Sequence, residues 1–195
     1  MQTRDRIVRS AARLFLTRSY QSVGVGDLCA VADVRKGSFY HFFPSKAALA
    51  KAVVDLHADE LARRLAASTV DGPADRLLAV ADAVTMIQTA FEKQFGRIVG
   101  CPFGNLAAEL STTDDELRAH VAAVFARWEA RLAKACRDAA AHGVLRDGVE
   151  PDRLAHLILA QIQGLILLAK VSGAPAAEIA TDLRSMITTH LREDA

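Results

Sequence analysis

Between Asp33 and Lys46 the chain sets Arg35, Lys36, Ser38, Tyr40, His41 and Lys46 among Val34, Phe39, Phe42 and Phe43, with Gly37 and Pro44 as interruptions. Guanidinium and ammonium groups supply charge for phosphates. A phenol and a hydroxyl donate to phosphate oxygens, and Lys and His side chains can reach the acceptor edge of guanine. Such a set on one short helix suits contact with a nucleic-acid groove. Just upstream, Leu28-Cys29-Ala30-Val31-Ala32 reads as another short apolar helix. Asp33, between the two, is one of the few non-glycine types that tolerates a left-handed backbone. Residues 24–43 therefore predict a helix-turn-helix, a device for placing side chains in a DNA groove. In that arrangement Leu28, Val31, Val34, Phe39 and Phe43 close a small core, and Lys36, Ser38, Tyr40 and His41 point outward. Ordinary surface packing is the alternative for Tyr40 and His41, and Cys29 reads as a small buried hydrophobe.

Charge supports a polyanionic partner. Residues 1–51 hold nine Lys/Arg against three Asp, whereas the other residues hold fifteen Lys/Arg against twenty Asp/Glu. The near-neutral total of +1 thus conceals a basic N-terminal unit on an acidic remainder. Three cysteines, Cys29, Cys101 and Cys136, form no disulfide framework and no metal-ligand spacing, which fits a reducing cytoplasm. The polar start from Met1 to Arg6 lacks the apolar core of a cleavable signal. The longest apolar run, Leu157 to Ala169, would rise only ~20 Å as a helix, against a ~30 Å hydrocarbon core. A soluble chain with no membrane partner is expected.

The elements that must position these residues are all helical, because no segment shows the β-branched alternation of a strand. Ile7, Ala11, Leu14 and Phe15 mark the first helix. Ser45, a good N-cap, opens a helix over 45–67. After Gly72-Pro73, the residues Leu77, Ala81, Val84, Gln88, Phe91 and Phe95 recur at steps of four and three. Pro102 starts a short helix to Leu110, and Thr113 before the acidic Asp114 to Glu116 opens a long one with the stripe Leu117, Val121, Val124, Trp128, Leu132 and Cys136. Gly143 stops it, and Pro151 and Pro175 open the last two. The prediction is an all-α chain of about nine helices. A three-helix DNA-binding domain over 1–50 continues through the 45–67 helix into a helical ligand-binding and dimerisation domain over 51–195.

The run Lys36-Gly37-Ser38-Phe39-Tyr40-His41-Phe42-Phe43-Pro44-Ser45-Lys46-Ala47-Ala48-Leu49 resembles the recognition-helix signature of the tetracycline-repressor (TetR) family of bacterial transcriptional regulators. The resemblance is specific over about residues 4–60 and rests on helix lengths and order beyond. It implies that Tyr40 and Lys46 hold phosphates, and that Lys36, Ser38 and His41 approach bases or nearby phosphates. Asp33 stands where glycine is common, Arg35 where a capping Ser or Thr is common, and Gly24 and Gly26 where longer polar residues often contact DNA. The operator sequence therefore does not carry over. Gly37 lets the backbone come close, and Arg35 adds a charge for phosphate. The resemblance also implies a palindromic double-stranded operator, a homodimer, a small-molecule effector of unknown identity and a place on the bacterial nucleoid.

Two further sets of residues concern switching. Pro102 suits a first helical position, which sets Cys101 at or beside an N-cap, where amides and dipole favour a thiolate. Arg97 would add charge if the preceding helix extended that far. Gly100-Cys101-Pro102-Phe103-Gly104-Asn105-Leu106 is similar to the helix start of a TetR subgroup that includes repressors responding to electrophiles and oxidants. A small cap or pocket wall is the other reading of Cys101. Phe103, Asn105, Trp128, Phe91 and Met86 are candidates for a reversible apolar pocket, with core packing as the alternative. The last helices carry more apolar residues than one core needs, so Leu159, Ile162, Gly164 and Ile166 are expected at the dimer interface. No cofactor, metal or catalytic residue is expected, since no hydrolase signature, phosphate loop or metal spacing occurs. His57 and Glu60, three apart, share a spacing with some metal sites and with many solvated pairs. An enzyme, or a helical adaptor that binds only protein, remains the alternative to a regulator.

Overall fold

The structure, a computed structural model, describes residues 2–66 and 70–193. Nine helices are found among these residues: α1 (Thr3–Thr17), α2 (Val25–Ala32), α3 (Lys36–Phe42), α4 (Lys46–Ala66), α5 (Pro73–Phe95), α6 (Pro102–Leu110), α7 (Asp115–Ala141), α8 (Pro151–Ser172) and α9 (Ala176–Thr188). No strand occurs among them, as the absence of alternation predicts, and one antiparallel bridge joins Leu145 to Leu191. The expected end of α4 at residue 67 lies outside the described residues.

The helix boundaries follow local chemistry. Ser45 caps α4, its Oγ accepting from the Ala48 amide at 3.0 Å. Asp114, rather than Thr113, caps α7, with Oδ1 accepting from the Leu117 amide at 2.8 Å. A carboxylate at that place also suits the helix dipole. α5 stops at Gly96, whose φ of 73° is a left-handed cap that suits glycine. Arg97 therefore lies beyond the helix, and the condition for it to add charge along α5 is not met. Pro102 and Pro151 occupy first-turn positions as expected, whereas Pro175 stands one residue outside α9 as its N-cap.

The chain forms two compact units. The first comprises Met1–Ala62 with Cys101–Val124. Its interior is built by Ile7, Ala11 and Phe15 of α1, Leu28 of α2, Phe39 of α3, Leu49 and Val53 of α4, and Phe103 and Leu106 of α6. Phe39 is wholly buried, a contribution of about 1.5–3 kcal/mol from one side chain. An ion pair and a hydrogen bond brace its rim: Lys51 Nζ to Glu116 Oε2 at 2.6 Å, and His120 Nε2 with Asp55 Oδ1 at 2.8 Å.

The second unit comprises Arg63–Gly100 with Phe125–Ala195. Here α9 packs along α5 and against α8, burying Leu77, Ala81, Ile158, Ile179, Leu183 and Ile187. Arg184 pairs with Asp82 and Arg76 with Asp138. Beside the Leu145–Leu191 bridge, the Arg146 amide donates to His190 O at 3.0 Å and the Arg192 amide to Val144 O at 2.9 Å. α8 is longer than its apolar run suggests: at 22 residues it is long and apolar enough to cross a membrane by length and composition. One face of it, however, is buried through Leu154, Ile158, Ile162 and Ile166 in the core of its own unit.

Candidate nucleic-acid interface

The turn between α2 and α3 is held as the sequence predicts. Asp33 adopts φ 50°, ψ 57°, the only left-handed non-glycine residue among those described. The Val34 amide closes the turn onto Cys29 O at 3.0 Å. A cation missed by sequence reasoning locks it from α1, as Arg6 donates a guanidinium N–H to Asp33 O at 3.2 Å. The opening of α2 is capped from within, since the Gly24 amide donates to Asp27 Oδ2 at 2.8 Å.

α3 lies over that turn with one face in and one face out. Phe39 and, just after the helix, Phe43 are buried, while Arg35, Lys36, Gly37, Ser38, Tyr40 and His41 are all exposed. The exposed rings are braced rather than loose. Tyr40, 53% exposed, sets its ring edge-on to Phe39 at 5.2 Å, and His41 sets its ring edge-on to Phe42 at 4.8 Å. Arg4 stacks its guanidinium 5.3 Å over Phe43. A Cβ added at Gly37 would meet nothing within 4 Å, so glycine here keeps the outer face low and is not required by packing. Arg35 at the N-cap and the helix behind it thus present two cations, a hydroxyl, a phenol and an imidazole to solvent. Val31 departs from expectation: it is 55% exposed instead of in the small core, because the α2 stripe turns on Leu28 and Ala32, one residue further round.

Lys46, which the resemblance implies on a phosphate, here donates its ammonium to Tyr20 O and Val23 O, each at 3.0 Å, and sits 4.2 Å over the Tyr20 ring. Burial lowers its pKa against a raising effect from Glu109. Lys46 therefore ties the start of α4 to the α1–α2 turn. Glu109 of α6, not foreseen, holds the other side of that turn. Its Oε2 accepts from Ser19 Oγ at 2.7 Å and from the Gln21 amide at 3.4 Å. The only sequence signal was a carboxylate on a short, mostly apolar helix.

The effector candidates divide between the two units. In the first, Cys101 is the N-cap residue of α6, its carbonyl accepting from the Asn105 amide at 2.8 Å, and its thiol is buried. Phe103 is buried beside the His57 imidazole, ring centres 6.3 Å apart. Burial presses the His57 pKa down to about 4, with Glu60 opposing. This histidine is thus neutral and enclosed, unlike the solvated pair its spacing allowed. Asn105 is half-buried. In the second unit, Phe91 is half-buried 6.1 Å from Phe95, and Trp128 is half-buried 6.4 Å from Phe125. Met86 is corrected: at 56% exposed it lines no interior.

The expected dimer residues are also corrected. Leu159, Ile162 and Ile166 are buried inside their own chain. Apolar residues left in solvent on α8 are instead Leu157, Leu167, Leu168 and Val171, at 39%, 58%, 66% and 78% exposure. Gly164 falls on that outer stripe, with nothing within 4 Å of a Cβ built on it. Among the described residues no group of His, Cys, Asp and Glu could hold a metal ion.

An all-helical chain whose α3 displays this cationic, donor-rich face above a fixed turn defines a helix-turn-helix DNA-binding regulator. Residues 7–53 match the family model of bacterial regulatory proteins of the tetR family, and residues 73–182 match that of the tetracyclin repressor-like C-terminal domain. The chain belongs to the TetR family of transcriptional regulators. It is similar to the transcriptional regulator AcuR of Cereibacter sphaeroides, 32% identical over 169 residues that cover 87% of this chain and 77% of that one. The HTH-type transcriptional repressor DhaR of a Mycobacterium strain is 30% identical over 168 residues, covering 86% and 82%. The crystal structure of reduced NemR from Escherichia coli superposes with a TM-score of 0.80 at 27% identity, covering 98% of each chain.

Proposed function

We propose that this regulator is a repressor that binds a palindromic double-stranded operator as a homodimer and leaves it when an effector binds. The observation that carries the reading is the outer face of α3, where Arg35, Lys36, Ser38, Tyr40 and His41 stand in solvent above buried Phe39 and Phe43. Lys36 and His41 approach bases; Arg35, Tyr40 and the backbone at Gly37 approach phosphates. Residues 1–50 read DNA, and residues 51–195 bind effector and pair the chains. The apolar outer stripe of α8 supports pairing, since exposed leucines in a row at helical spacing are stabilised by a second copy. The chain works by binding and not by catalysis, on DNA in the cytoplasm.

Two kinds of effector fit the residues. A reactive electrophile or oxidant would add to the Cys101 thiol, placed at the start of α6 where helix amides favour a thiolate. A reversible ligand would sit among Phe91 and Trp128. Cys136 serves as an internal control: it is wholly buried, and burial pushes its thiol up to about 11.

Fluorescence anisotropy against the chain's own upstream DNA tests the reading. Affinity should fall steeply as salt rises, because each neutralised phosphate releases a counterion. No salt-sensitive affinity for any fragment would leave the adaptor or enzyme as the better account. For the thiol route, N-ethylmaleimide should release DNA from the native chain and not from Cys101→Ser, with Cys136 unmodified by mass spectrometry. Equal release from both would remove Cys101 from the mechanism.

A further inference from the structure

Phe42, the last residue of α3, belongs neither to the core nor to the polar contacts proposed for DNA. It is 36% exposed, whereas Phe39 and Phe43 are 0% and 3% exposed. A lone exposed phenylalanine is ordinary on a protein surface. The position of this one sets it apart. Ser38 precedes it by one helical turn, and His41 lies beside it with its ring edge-on at 4.8 Å. Both are exposed residues of the same helix. Residues four apart share a helix face, so Phe42 continues the outer flank that Ser38 begins.

Electrostatics would draw a duplex along that whole flank. Arg35 and Lys36 stand exposed at the start of α3, and at its end Arg4 holds its guanidinium 5.3 Å over the Phe43 ring. No carboxylate occurs from Val34 to Val54. A seven-residue helix is only about 10 Å long. With cations for phosphate at both of its ends, the exposed ring is carried against the base edges. There its chemistry is narrow. Phenylalanine has no donor or acceptor, so over the amines of adenine or cytosine, or the acceptors of guanine, it would displace water and return no hydrogen bond. The thymine C5-methyl is the apolar group that the major groove displays.

We infer that Phe42 is a specificity-determining residue whose ring packs on the C5-methyl of a thymine in each operator half-site. The inference rests on the proposed function and deepens it, because it adds an apolar readout to the polar contacts of Lys36 and His41. Uracil isolates this contact. It replaces the methyl by hydrogen and leaves every hydrogen-bonding group of the base pair in place.

The experiment measures anisotropy of the full-length chain on its own upstream fragment, made once with thymidine and once with deoxyuridine throughout. The native chain should bind the thymine form about tenfold tighter, since one buried methyl is lost in each of two half-sites. Phe42→Ala should weaken binding to the thymine form by about tenfold and bring the ratio between the forms toward one. Phe42→Leu, which keeps a smaller apolar group there, should retain a ratio of about threefold. Melting curves identify the variants that fold. The native ratio is read without any variant, and a value near one overturns the inference even if Phe42→Ala melts early. A ratio that stays at the native value in every variant that folds also overturns it, and assigns the methyl to another residue. Salt-sensitive binding without preference for the thymine form defeats only this inference. Absence of salt-sensitive binding to either form defeats the proposed function, and this inference with it.

Discussion

Helices α3 and α8 each leave a set of large side chains in solvent, and they do so in opposite ways. α3 exposes a phenol, an imidazole and two cations around a buried phenylalanine; α8 exposes Leu157, Leu167, Leu168 and Val171 around a buried isoleucine row. Isolated exposed hydrophobes are normal, but a contiguous row at helical spacing is not. A surface rich in donors and cations is soluble without its partner and selects an anion. A bare apolar stripe gains by meeting its own copy. The comparison teaches that, under the proposed function, the polarity of an exposed face decides which kind of partner would suit it.

The sharpest way to break this contrast is a charge on the apolar face. Leu168→Glu should give a monomer by sedimentation and weaken operator binding by about a hundredfold or more, because the second half-site no longer adds its effective concentration. A dimer with unchanged affinity would relocate the interface. Next comes the cationic face: Lys36→Ala should cost about tenfold in anisotropy and leave the dimer intact. Tyr40→Phe removes one hydrogen-bonding hydroxyl and keeps the ring against Phe39, so a loss of about threefold is expected. Lys46→Met sharpens the assignment further. Since its ammonium grips Tyr20 O and Val23 O, the variant should lower the melting temperature more than it changes the salt slope. The smallest effect on DNA belongs to His57. Its folded pKa of about 4 lies below the unfolded value near 6.5. The unfolded state therefore takes up the proton first. Stability is full above pH 6.5 and falls as pH drops toward 4, and His57→Gln should flatten that part of the melting profile.

The α3 face was legible because the segment is short and strongly amphipathic. Once Asp33 sets the turn and Phe39 and Phe43 point in, the outward residues have no other place. The Ser45 cap was equally readable. α8 was not, because a helix apolar on nearly every side carries no internal sign of which side is core. The expected residues Leu159, Ile162 and Ile166 thus missed the outer stripe, while Gly164 fell on it. The contacts of Lys46 were hidden for a different reason: a four-carbon stem can turn its charge back onto carbonyls far away in sequence, and only folding shows which.

The grip of Glu109 on Ser19 and Gln21 bears on how the reader could be reused. The compact unit that holds the DNA-facing helices takes in Cys101–Val124 as well as Met1–Ala62, and α6 packs directly on α1. A fragment cut near the end of α4 would lose that carboxylate and expose the apolar side of α1. The reader is therefore no portable module: a functional chimera must carry the α6 segment along with it, joined from a distant stretch of the same polypeptide.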